Sequence, residues 1–153
     1  IDLLKPTKIY TKEILKLTNK CSNIYLASPE EFNIIPFYQI ADVLLSDISS
    51  TIFEYLYLNR PIIMADCFTL RIKHKLFKRR FLKKMDLARM KAVDFAYKLS
   101  NPKKLRNILN KAIENPLLHE RERLEAQTKY LYKTDGKASS RLIDSIENKL
   151  NIF

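Results

Sequence analysis

Residues 41–66 read ADVLLSDISSTIFEYLYLNRPIIMAD. An apolar run is followed by a knot of short polar residues, a helical stretch and a second apolar run. Two strands joined through a helix are parallel, because a parallel pair needs a long crossover where an antiparallel pair needs only a turn. The expected elements are a strand over 42–46, a helix over 50–58 and a strand over 62–65, the last introduced by Asn59-Arg60-Pro61. Pro61 ends the helix, and Arg60 packs or pairs locally. The turn carries Asp47, Ser49, Ser50 and Thr51, and Glu54 follows one helical turn beyond Ser50. A helix start offers unpaired N–H groups and a positive dipole end, and hydroxyls add donors, so the turn suits a phosphate. The plain alternative is an ordinary N-cap in a βα connection, since Asp and Ser cap helices anywhere.

The remainder of the chain extends this pattern. Residues 1–5 (IDLLK) and 23–28 (NIYLAS) are strand candidates, 11–20 a short helix, and Pro36 opens a brief helix over 36–41. Alternating strands and helices make the first half an α/β unit with a parallel sheet. The second half reads as helical. Leu105, Ile108, Leu109, Ala112 and Ile113 share a face between Pro102 and Asn115, and Leu142, Ile143, Ile146 and Leu150 repeat the spacing over 137–150. Between them, 117–132 is a charged, weakly amphipathic helix. The one glycine, Gly136, stands just ahead of the last helix, where backbone geometry requires it.

At 153 residues and 46% hydrophobic content, the chain has material for one domain with a real core. Without an initiator Met, and opening on what reads as a strand, it is expected to be a piece of a longer protein. No stretch approaches a membrane span, and the first residues lack a secretory layout. Cys21 and Cys67 are far apart and in no metal-binding spacing, which points to a reducing compartment, with no metal or other cofactor expected.

Charge is concentrated. The net charge is +11, and residues 71–91 (RIKHKLFKRRFLKKMDLARMK) hold ten Lys or Arg against one Asp, so +9 lies there. Phe77, Phe81, Met85 and Ala88 recur among the charges at spacings of four, four and three. An apolar stripe flanked by Lys75, Lys78, Arg79, Arg80, Lys83 and Lys84 suits an anionic membrane surface or an anionic acceptor. Packing against another domain is an equal reading, and nucleic acid is the weaker rival.

The strand ending in Asp47, the Ser49-Ser50 pair, the acidic Glu54, Arg60-Pro61 before the next strand and the late Asp135-Gly136-Lys137-Ala138 stand in one order. In that order they resemble the C-terminal half of the CDP-glycerol glycerophosphotransferases, which polymerise poly(glycerol phosphate) for teichoic acids and related capsule polymers. The resemblance runs over most of the chain, with its specific matches in 41–66 and 135–146. It implies a Rossmann-like α/β fold, the donor-binding half of a two-domain GT-B enzyme, spanning 1–153 as a single domain. It also implies roles. Ser49, Ser50 and Thr51 would hold the pyrophosphate of CDP-glycerol or a related donor, Asp47 the turn, and Glu54 the ribose hydroxyls. Asp135 and Gly136 would shape a loop beside the cleft or cap the final helix. The acceptor would be a lipid-linked polymer, and the place of action the cytoplasmic face of the cell membrane.

One position departs from the family. Where it has a His after Lys/Arg-Pro near an early strand, this chain has Thr7, which cannot act as an acid or base near neutral pH. His74 and His119 lie in a basic segment and a charged helix, and neither is an evident substitute. The catalytic assignment therefore stays open between drifted activity, a different register and a relative that only binds the donor. A sugar-nucleotide glycosyltransferase or epimerase of the same architecture, and a noncatalytic module acting at membranes or nucleic acid, are the remaining readings.

Overall fold

The computed structural model describes residues 11–28, 30–31, 33–67 and 92–150. The expected strand at 1–5, Thr7, His74 and the whole basic segment 71–91 lie outside them. The chain divides into two compact units, Ile1–Gln39 and Ile40–Phe153.

In the first unit, α1 spans Thr11–Thr18. The helix α2 is Ile35–Ile40, opening with Pro36 at its second position. Asn33 Oδ1 accepts from the Ile35 N–H at 3.0 Å, which satisfies one of the donors a helix start leaves unpaired. The strand expected over 23–28 is not formed. Glu31 closes this stretch into a local turn instead: its carboxylate accepts from Ser28 N at 2.6 Å and from the Tyr25 hydroxyl at 2.9 Å. Side-chain bonds of this local kind compete with sheet pairing.

The second unit is built on a parallel sheet. Strand β1 is Leu44–Ser46, β2 is Ile62–Ala65 and β3 is Tyr97–Leu99. Their order is β1-β2-β3. Both pairings are parallel, with Leu45 opposite Ile63 and Met64 opposite Lys98. Central β2 has Ile62, Ile63 and Met64 buried, the continuous apolar run expected of a strand covered on both faces. Helix α3, Ser50–Tyr55, continues into a 3₁₀ turn at Leu56–Leu58, crosses from β1 to β2 and packs on both. The 3₁₀ turn Pro102–Lys104 leads into α4, Leu105–Glu114. Ala112 of α4 is buried with Ile63, Tyr97 and Leu99, and Leu105, Ile108 and Leu109 pack around them. This is the α/β, Rossmann-like arrangement expected of the sequence.

Strand β3 corrects the expectation of a purely helical second half. Its signal was present in part: Val93, Phe95, Tyr97 and Leu99 are buried while Asp94 and Lys98 are exposed, the period-2 alternation of a strand, broken only by the small buried Ala96.

Helix α5, Glu120–Tyr130, has little apolar periodicity and is held by polar contacts. Arg123 is buried at 1% exposure. Its Nε donates to the Asn59 carbonyl at 3.2 Å and to Asn59 Oδ1 at 3.0 Å, and Nη2 donates to the Pro116 carbonyl at 2.7 Å. Asn59 ends the 3₁₀ turn in the left-handed region, φ 50°, which Asn tolerates better than most residues. Its own amide reaches Glu120 at 3.3 Å, and Gln127 Nε2 donates to the Leu56 carbonyl. The last helix, α6, is Ala138–Leu150. Its apolar residues Leu142, Ile143, Ile146 and Leu150 are exposed.

Candidate functional site

The turn between β1 and α3 is organised by hydroxyls. Ser49 is the N-cap, extended at φ −136° and ψ 162°, and its Oγ accepts from Thr51 N at 3.5 Å. The Ser46 and Thr51 hydroxyls bond each other at 3.1 Å, which ties the end of β1 to the first turn of the helix. These contacts hold the turn, while Asp47 and Ser50 are exposed in it. The Ser46, Ser49 and Thr51 hydroxyls therefore shape the loop from within, and Ser50 stands exposed beside them.

From Ser50, α3 presents Glu54 four residues on, and the 3₁₀ turn that continues it presents Tyr57 three beyond that. Positions i, i+4 and i+7 share one face of a helix. All three are exposed. Glu54 and Tyr57 line an open cleft of about 410 Å³, whose other wall is Leu131, Lys133, Thr134 and Gly136. Glu54 and Gly136, predicted as site residues from opposite ends of the unit, are thus brought to one cleft.

Asp135 is not among the residues that line the cleft. Its Oδ1 accepts from Lys137 N at 3.0 Å, and both carboxylate oxygens accept from Arg141 at 2.9 Å. The bond from Arg141, then that from the Lys137 amide, lowers its carboxyl pKa below the ordinary range. Asp135 thereby fixes the start of α6. Gly136 makes the bend at φ +72°, a conformation other residues adopt only under strain. Beside it, the Lys133 ammonium sits 5.4 Å from the Tyr132 ring centroid and the Arg141 guanidinium 5.8 Å.

Other predicted residues have structural posts. Arg60 Nη1 and the Tyr55 hydroxyl both donate to the Ala41 carbonyl, at 2.8 and 2.6 Å, so Arg60 pairs locally as expected. His119 stacks edge-on against Tyr97 at 4.9 Å and is not among the cleft-lining residues. Among the described residues, no group of three His, Cys, Asp or Glu could hold a metal. Sequence reasoning missed Tyr57 and Lys133 as cleft residues. The i+7 spacing from Ser50 was the available signal for Tyr57.

The family model for CDP-glycerol:poly(glycerophosphate) glycerophosphotransferase matches residues 3–148. The chain belongs to this glycerophosphotransferase family. The match takes in the Ser46–Thr51 turn, the α3 face and the Asp135–Gly136 bend, so the cleft lies within the family region. Family membership makes transferase chemistry of the glycerophosphotransferase type the frame for the site. Comparison with curated proteins and with solved structures gave no match.

Proposed function

We propose that this glycerophosphotransferase-family chain binds a CDP-linked polyol phosphate, CDP-glycerol or a close relative, in the cleft between α3 and the 131–136 loop. The observation that carries the reading is the meeting of Glu54 and Gly136 at one cleft; Ser49, Ser50 and Thr51 are not among its lining residues and stand about one helical turn before Glu54. Ser49, Ser50 and Thr51, with the turn's backbone, take the pyrophosphate, Asp47 borders that turn, and the Glu54 carboxylate accepts from the ribose hydroxyls.

In this reading an acceptor hydroxyl at the end of a lipid-linked polymer attacks the donor's β-phosphorus. The new oxygen–phosphorus bond forms as the bond to the bridging oxygen breaks, and CMP leaves in line. Orientation of the donor and stabilisation of charge on the departing phosphate are the contributions of the turn. Thr7 supplies no acid or base near neutral pH, so donor binding is the role assigned to this chain. The chain is read as one donor-binding domain of a larger GT-B enzyme at the cytoplasmic membrane face, with the charges of Lys75, Lys78, Arg79, Arg80, Lys83 and Lys84 attracting anionic lipid or acceptor.

The test is thermal. CDP-glycerol or CMP should raise the melting temperature of the full-length protein, and Ser50→Ala or Glu54→Ala should remove the shift. Stabilisation by UDP-sugars alone would favour a glycosyltransferase or epimerase. No shift with any cytidine or uridine nucleotide, alongside vesicle binding that the Ser50 variant retains, would favour a noncatalytic module.

A further inference from the structure

We propose that Tyr57 is the surface on which the donor's base stacks, making it a specificity-determining residue of the cleft; the inference rests on the donor reading above. Tyr57 is 59% exposed and lines the cleft with Glu54. Among the described residues it makes no ring contact and no hydrogen bond, unlike Tyr55 and Tyr97, whose hydroxyls donate to the Ala41 and Asn115 carbonyls. An amphipathic ring left open toward a cleft is a stacking platform.

Spacing supplies the second argument. At about 1.5 Å per residue over α3 and about 2 Å over the 3₁₀ turn, the climb from Ser50 to Tyr57 is about 11 Å. That is comparable to the reach of a nucleoside diphosphate from its terminal phosphate to its base. A pyrophosphate at Ser50 and a ribose at Glu54 therefore leave the base at the level of Tyr57. The opposite wall of the cleft is Leu131, Lys133, Thr134 and Gly136. Its Lys133, steadied over the Tyr132 ring, gives that wall a positive charge.

The experiment is calorimetric titration of full-length protein with CMP and, separately, with inorganic pyrophosphate. Tyr57→Ala should weaken CMP binding by about tenfold, the scale of one lost base–aromatic stack. Tyr57→Phe should restore it, because the ring face is kept, and pyrophosphate affinity should be the same in all three proteins. If the wild type binds CMP and Tyr57→Ala binds it equally well, the inference is overturned while the donor reading stands. A loss of pyrophosphate affinity in Tyr57→Ala would also overturn it, by showing an effect through the fold. If the wild type binds no cytidine nucleotide at all, both readings fall together.

Discussion

Replacing Arg123 by Ala should loosen the attachment of α5 to the turn that ends α3. The side chain is buried and spends its donors on three acceptors: the Asn59 carbonyl, Asn59 Oδ1 and the Pro116 carbonyl. Hydrogen bonds from a charged group contribute about 1.5 to 3 kcal/mol each, and truncation also leaves the partly buried Asn59 and Pro116 acceptors without their donor. The guanidinium is held at a cost, since burial lowers its pKa against the weaker opposing pull of Glu120 and Tyr97, and its buried Nη1 finds no hydrogen-bond partner among the described residues. Counting Asn59 as one shared contact and Pro116 as another gives a net loss of about 3 kcal/mol. In a chain of this size that lowers Tm by about 10 °C. Arg123→Lys should recover less than half, because one ammonium cannot span Asn59 and Pro116 as a planar fork does. Denaturant unfolding of both variants reads the change directly. A double-mutant cycle with Asn59→Gly, which keeps the left-handed turn and removes Oδ1, should give a coupling of about 1 kcal/mol. A loss below about 1 kcal/mol for Arg123→Ala would refute the reasoning, since two charge-assisted contacts from a buried guanidinium should be worth more than that.

Thr51→Val keeps the side chain's shape and removes its bond to Ser46; it should cost about 1 kcal/mol in chemical denaturation and weaken pyrophosphate binding. Gly136→Ala meets no steric neighbour but is strained at φ +72°, so it should destabilise by about 1 kcal/mol, with Gly136→Asn costing less. Asp135 has a depressed folded-state pKa, so its contribution is present above the unfolded carboxylate value near 3.9 and lost as pH falls through the lower folded value. Carboxyl NMR should find Asp135 titrating below the ordinary range, with the first turn of α6 fraying as it protonates; titration at or above that range, or its survival unchanged in Arg141→Ala, would contradict the assignment.

The part of the fold readable from residues alone was the part governed by local chemistry. The strand–turn–helix–strand between Ala41 and Asp66 follows from an apolar run, capping residues and a proline, and the structure has those elements. Strand β3 was overlooked because it is three residues long and its alternation begins next to a segment dominated by charge. The reverse error at 23–28 came from an apolar run whose polar end is drawn into a local turn, the Glu31 carboxylate accepting from the Ser28 N–H and the Tyr25 hydroxyl. Helix α5 shows a different limit. Periodicity reports apolar packing, whereas Arg123 and Gln127 attach this helix through backbone carbonyls more than sixty residues away in sequence. The cleft divides the same way: the turn and Glu54 are sequence-local, but the wall containing Lys133 and Gly136 is brought there only by tertiary packing.

A backbone-amide NMR titration of the full-length protein with CMP addresses the central claim most directly. The account predicts saturable shifts at Ser50, Glu54 and Gly136 that follow one binding curve, because one ligand would touch the turn, the helix face and the opposite wall together. Saturable shifts confined to other surfaces, or none at millimolar CMP in a folded protein, would contradict it.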